Sequence, residues 1–244
     1  MKRLTTIFML LPLVLVTACS RKNSLKDKTL VIGCSPTPHA KILEASQPLF
    51  EEKGYKLEIK VLNDYVTPNT LLDSEDLDAN YFQHVPYLDD FNSKNGTDLS
   101  WIVKVHFEPM GIYSTKHSDL SKASPKIAIP NDVSNGARAR ALLEANHVEG
   151  EIVEVEAQSI PSILADVDYG VINGNYALSA KVTDKCIITE TSDSATALEL
   201  ANVIAVKTSS LDYEWVKVIK DVFASDKMRE FINSEFGSSV KAVF

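Results

Sequence analysis

Cysteine is scarce in this chain. Three occur among 244 residues, at Cys19, Cys34 and Cys186, with no CxxC pair and no cysteine–histidine spacing of the zinc-binding kind. Cys34 and Cys186 sit far apart inside short apolar stretches, VIGCS and KCIIT, a setting that suits buried free thiols better than a disulfide framework. Glycine is scarce as well, with nine residues, and none of them builds a phosphate-cradling loop. No GxSxG elbow is present, neither remaining cysteine has an evident base partner, and no serine has a local nucleophile signature, so the sequence marks no catalytic residue and no cofactor site. A basic surplus is also lacking, since 25 lysines and arginines face 33 aspartates and glutamates. Nucleic acid and anionic membrane surfaces both call for a basic face, and neither fits as a partner. No glycine-rich or proline-rich linker divides the chain, so two domains, if present, must be interwoven.

What is there begins at the amino terminus. Lys2 and Arg3, an apolar run from Ile7 to Val16 broken only by Pro12, and the small pair Thr17 and Ala18 ahead of Cys19 have the three-part layout of a secretory signal. The run is about half the length that a membrane-spanning helix needs. Val16-Thr17-Ala18-Cys19 resembles a bacterial lipobox. That resemblance implies cleavage before Cys19, acyl lipid (palmitate) on its sulfur and on the new amino terminus, and a protein held at the extracytoplasmic face of a cell membrane. Loss of residues 1–18 removes two cations and no acid, so 23 basic residues remain against 33 acidic ones, a net charge near −10. The lipid, and not surface charge, must then supply the anchor. Residues 19–28 read as a lipidated tether.

From residue 29 onward, short strand-like runs alternate with helical ones. Strands are expected at Thr29–Cys34, Lys56–Leu62, Trp101–Val105, Met110–Ser114, Lys126–Ile129, Ile152–Val155, Val167–Ile172, Cys186–Thr189 and Val203–Lys207. A helix is expected over His39–Lys53 with Gly54 as its stop, and another over Leu211–Ala224, where Leu211, Trp215, Val218, Ile219, Val222 and Phe223 form a stripe at helical spacing. The alternation predicts an α/β fold with largely parallel sheets. Repeated βα units without a linker form two lobes when the chain crosses between them on extended segments, which leaves a ligand cleft and a hinge. Expected crossings are Tyr113–Ser121 and Thr191–Asn202, giving one lobe from 29–118 and 198–244 and a second from 119–197.

Two stretches carry chemistry. Asp78 to Tyr87 is the densest aromatic segment, without the spacing of a clean helix or strand; its rings either pack under a loop or line an apolar pocket. Asn131-Asp132-Val133-Ser134-Asn135 reads as a helix start that places Arg138 in the first turn or two. A guanidinium beside the positive end of a helix is a natural receptor for a carboxylate. Arg140, two residues on, faces elsewhere.

The segments SPTPHAKILEA (35–45), DANYFQHVPYL (78–88), VHFEPMGIYS (105–114), IAIPNDVSNGARA (127–139), DVDYGVINGNYAL (166–178) and ANVIAVK (201–207) resemble, in order, the signature blocks of the NlpA-type lipoproteins, the methionine-binding lipoproteins of ABC methionine importers. The resemblance covers nearly the whole mature chain. It implies a two-lobed periplasmic-binding-protein fold of type II-like form, with no enzymatic activity, that closes on L-methionine and delivers it to an ABC permease with its ATPase. Residue by residue, it assigns Tyr65, Phe82, His84 and Tyr87 to the enclosure of the methionine side chain. It assigns Arg138 to the carboxylate, and Asn173 and Asn202 to the amino and carboxylate groups. A thioether against aromatic rings gains up to about 1.5 kcal/mol per contact, and an amide donates and accepts at once, so these residue types suit that ligand. Two departures from the family pattern stand out: a shorter run between the Arg138 helix and EVEAQSIP, and a longer one, SATALEL, before Asn202. The second lies near a ligand residue and leaves a methionine-containing dipeptide or a related amino acid as alternatives. The rival from another class is an extracytoplasmic metal-binding lipoprotein using His39, His84, His106 and Glu108.

Overall fold

The computed structural model describes residues 25–191 and 194–244; the signal segment and Cys19 lie outside the described residues. Among the described residues, eleven strands run in chain order: β1 Thr29–Cys34, β2 Lys56–Val61, β3 Ala79–His84, β4 Leu99–Phe107, β5 Gly111–Tyr113, β6 Lys126–Pro130, β7 Glu151–Val155, β8 Tyr169–Ile172, β9 Cys186–Thr189, β10 Asn202–Lys207 and β11 Lys241–Ala242. They form two sheets, one ordered β11-β4-β10-β3-β1-β2 and one ordered β7-β6-β8-β5-β9. In the first, β1 runs parallel to β2 and β3, and β10 is antiparallel to β3 and β4. In the second, β6 is parallel to β7 and β8, while β5 is antiparallel to β8 and β9. The helices are α1 Lys41–Glu52, α2 Thr67–Asp73, α3 Val85–Asn95, α4 Val133–Ala145, α5 Gly174–Ala180, α6 Ser194–Glu199, α7 Glu214–Phe223 and α8 Asp226–Phe236. No helix among the described residues is long and apolar enough to cross a membrane.

Strand periodicity divides each sheet between two cores. Leu30 and Ile32 of β1 pack with Phe50 of α1 and Trp215, Ile219 and Phe223 of α7, whereas Val31 between them packs with Leu72 of α2 on the other face. Ile127 and Ile129 of β6 meet Ala139, Leu142 and Leu143 of α4; Ala128 meets Ile160, Leu164 and Ala177. Cys34 is buried and Cys186 partly so, both as free thiols, and burial pushes the Cys34 thiol up to about 12.

Three expectations need correction. β3 escapes periodicity because all six of its residues are buried, so it has no polar face to alternate with. The C-terminal stripe begins later than expected: α7 starts at Glu214, and Leu211 is 38% exposed, outside the core it was expected to enter. The first crossing also lies earlier. Gly111–Tyr113 already pairs with β8 and β9 in the second sheet, so the chain leaves the first sheet at Phe107 and crosses through 108–110, not through 113–121. The return crossing spans 190–201 and contains α6, made from the SATALEL run.

Candidate ligand-binding site

A buried pocket lies where the two sheets face each other. Tyr65, Phe82, His84, Tyr87 and Asn202 line it from the first lobe, and Arg138 and Asn173 from the second, so all seven residues carried over from the family pattern meet in one place. Gln83, Glu108, Asn135, Gly174 and Asn175 complete the lining. Of these, sequence reading singled out only Glu108, and for a metal. The signals for Asn135, Gly174 and Asn175 lay in the NDVSN and NGN runs, beside residues already named.

The aromatic side is built by β3 and the helix it feeds. Tyr65 precedes α2 in a turn held by Asp64, whose Oδ1 accepts from the Val66 and Thr67 amides at 2.8 and 2.6 Å. Its ring lies 5.8 Å from both Phe82 and Tyr87, which are 5.9 Å from each other, in tilted or edge-on contacts of the favourable kind. The Tyr87 hydroxyl donates to the Tyr65 carbonyl at 2.8 Å. His84 ends β3 and caps α3: its Nδ1 accepts the Tyr87 amide at 3.2 Å, which leaves Nε2–H to donate to Asn135 Oδ1 at 3.3 Å across the lobes. That is the neutral tautomer. Burial, aided by nearby Arg138, pushes the imidazole down to about 3, so it stays neutral.

The polar side is ordered by a helix cap. Asp132 caps α4 by accepting the Asn135 backbone amide at 2.8 Å, and its carboxylate also accepts from Asn135 Nδ2, at 3.0 Å to Oδ1 and 3.1 Å to Oδ2. With Asn135 Nδ2 committed to Asp132, its Oδ1 must face the pocket, where it accepts from Asn173 Nδ2 at 2.7 Å. Among the described residues Asn173 Oδ1 then has no partner. The same logic holds for Asn175, whose Oδ1 accepts from the Tyr65 hydroxyl across the lobes at 2.7 Å and whose Nδ2 has no partner among the described residues. Both residues are buried, 6% and 4% exposed, and an orphaned buried polar atom costs about 1–3 kcal/mol. An acceptor and a donor held open inside one pocket are what a small polar ligand would satisfy.

Glu108 lies on the first crossing. Gly174 makes room for it: a Cβ there would fall 2.9 Å from Glu108 Cβ and 3.1 Å from its Oε2. His106 Nε2–H donates to Glu108 Oε1 at 2.6 Å while its Nδ1 pairs with the Tyr81 hydroxyl, and His39 Nε2–H donates to Asn202 Oδ1 at 3.0 Å. Burial holds the Glu108 carboxyl up, to about 7, and pushes His39 down to about 4 and His106 to about 3. His39, His106 and Glu108 could place three ligand atoms for a metal within 4.8 Å of one another. Each is already hydrogen-bonded, and His84, the remaining histidine of the metal-binding reading, faces Asn135 instead. The cluster supports Glu108 and Asn202 from behind. Gln83, by contrast, is committed to Asn69 and Asn80.

Arg138 lies in the second turn of α4, and its guanidinium is 2.7 and 2.6 Å from the two Glu190 carboxylate oxygens. Arg140 is exposed and pairs with Glu154 on the surface. The NlpA lipoprotein profile matches residues 30–150 and 146–244. The chain belongs to the NlpA lipoprotein family. Within it, the chain is 32% identical to the methionine-binding lipoprotein MetQ of Bacillus subtilis over 258 residues, 93% of each protein. Among solved structures, a nutrient-binding protein from Burkholderia cenocepacia bound to methionine superposes with a TM-score of 0.81 at 33% identity, covering 88% of this chain and 100% of that one. A periplasmic substrate-binding protein of an ABC transporter from Coxiella burnetii gives 0.80 at 29% identity, covering 87% and 99%. The two sheets with a pocket between them are therefore the two lobes of a periplasmic-binding-protein fold.

Proposed function

We propose that this NlpA family member is the lipid-anchored, extracytoplasmic subunit that captures L-methionine and hands it to the permease and ATPase of an ABC importer. The observation that carries this reading is a pocket with complementary halves. Phe82, Tyr65 and Tyr87 offer a soft aromatic wall to a thioether. Opposite them are Arg138 for a carboxylate, and Glu108 and Asn173 Oδ1 for an ammonium. Asn202, its oxygen taken by His39, has its amide nitrogen left to donate, and Asn175 adds a second open donor. These groups bind and enclose; nothing in the arrangement pairs a nucleophile with a base. Tyr65–Asn175 and His84–Asn135 bonds span the lobes beside the ligand groups, so closure and capture use the same residues.

Calorimetry on the delipidated protein, stripped of carried-over ligand by unfolding and refolding, tests the reading. Titrated with L-methionine, D-methionine, methionine dipeptides, other amino acids and Zn²⁺, the protein should give a tight one-to-one complex with L-methionine or a methionine-containing peptide. Saturable zinc binding with no amino-acid response would refute it. The anchor is tested separately: fatty-acid labelling should mark the wild-type protein and not Cys19→Ser, with ligand affinity of the soluble domain unchanged.

A further inference from the structure

The guanidinium expected to receive the ligand carboxylate is not a free positive charge. Glu190 takes Arg138 Nε–H and Nη2–H side-on, and Nη2 also donates to the Glu108 carbonyl at 2.9 Å. Nη1 is the one guanidinium nitrogen without a protein partner among the described residues. The pair is partly buried, with side chains 8% and 12% exposed. Glu190 is itself fixed: Met110 N donates to its Oε2 at 2.8 Å and its own N–H donates to the Met110 carbonyl at 2.9 Å, a reciprocal bond between the two interlobe crossings. Glu190 does not line the pocket; it stands behind Arg138.

The consequence is one of charge balance. With Arg138 neutralised and the histidines around the pocket held neutral, the lining has no surplus positive charge to offer an anion. A zwitterion adds no net charge to such a site. A ligand with the same carboxylate but no ammonium brings a negative charge into a desolvated space within reach of both Glu190 and Glu108, where like charges repel far more than in water.

We propose that Glu190 is a specificity-determining residue: by neutralising Arg138 it makes the site demand a ligand that carries its own ammonium, and so excludes carboxylic acids of the same shape. The inference rests on the methionine-capture reading. Its test compares L-methionine with 4-(methylsulfanyl)butanoate, which keeps the thioether and carboxylate and lacks the amine, by calorimetry on wild type, Glu190→Gln and Glu190→Asp. The Gln side chain keeps an acceptor for Arg138 and removes the charge, so the preference for L-methionine over the amine-free acid should shrink by about tenfold or more. The Asp variant keeps the charge and should hold the wild-type preference to within about threefold even where both affinities fall. If the Gln variant loses affinity for both ligands in parallel, Glu190 merely positions Arg138 and the proposal fails. Should that variant not fold by thermal melting, the Asp variant decides, since a collapse of its preference overturns the proposal and retention upholds it. A wild-type protein that binds L-methionine with an unmoved ratio in the variants sinks this inference alone; one that binds no amino acid sinks the capture reading with it.

Discussion

Methionine affinity should depend on pH through a single group, Glu108. Its carboxyl is held up to about 7 by burial, it faces the pocket, and a ligand ammonium pairs only with its ionised form. Titratable neighbours do not blur the effect. His39 and His106 are pushed down to about 4 and 3 and His84 to about 3, so none of these imidazoles changes charge between pH 5 and 8. Free methionine also remains a zwitterion over that range. Because the ligand selects the deprotonated carboxylate, binding releases a proton wherever the empty site still holds one. Affinity should be nearly flat above pH 8 and weaken about tenfold per pH unit below 7, reaching roughly a hundredfold loss at pH 5. Calorimetry in two buffers of different ionisation enthalpy reads both the affinity and the proton count, which should approach one released per methionine at pH 6 and below. Glu108→Gln should bind more weakly at pH 8 and show no slope. A wild-type affinity unchanged from pH 8 to 5, or the same slope in the Gln variant, would refute the assignment of Glu108 to the ammonium.

Arg138→Ala should weaken L-methionine binding by two or more orders of magnitude, because it removes the guanidinium partner of a ligand carboxylate enclosed between the lobes, a loss of roughly 3–5 kcal/mol. Arg140→Ala, which breaks only an exposed pair with Glu154, should stay near wild type in the same titration. Phe82→Ala should lower the preference for methionine over smaller amino acids more than it lowers affinity for the latter, since it strips side-chain contacts and spares the zwitterion groups; competition binding reads the ratio. Acid should destabilise the ligand-free protein. His39, His84 and His106 are buried neutral with depressed values, so their contribution is present above the ordinary histidine value of 6.5 and is lost as pH falls through the folded ones. Glu108, raised, acts in the opposite direction between 4.5 and about 7. From these four groups the unfolded chain binds a net two protons more between pH 4.5 and 6.5, a slope of roughly 3 kcal/mol per pH unit, measurable by urea unfolding across that window.

The sequence by itself determined the fold class and named seven of the residues that line the pocket. Most strands lay open to reading because they alternate or are short apolar runs between turn residues, and the family resemblance named seven pocket residues from five separated segments. Local chemistry placed Arg138 correctly on its helix, since a cap at Asp132 fixes the start and helix geometry does the rest. What only the tertiary structure decided is which polar atoms are spent and which are left over. Nothing local distinguishes Asn173 from Asn135: Asn173 Oδ1 is open because Asn135, 38 residues away in the chain, is tied to Asp132 and turns its own oxygen to Asn173 Nδ2. Glu108 stood out in the sequence only as a possible metal ligand, and its value to the site comes from burial beside His106 and a glycine 66 residues away. Glu190 was invisible for the same reason, as the ion pair that tempers Arg138 joins residues 52 apart. Hydrophobic pattern is written along the chain because helices and strands impose a period on it. Hydrogen-bond completion and charge compensation have no period, and they take shape where distant segments meet.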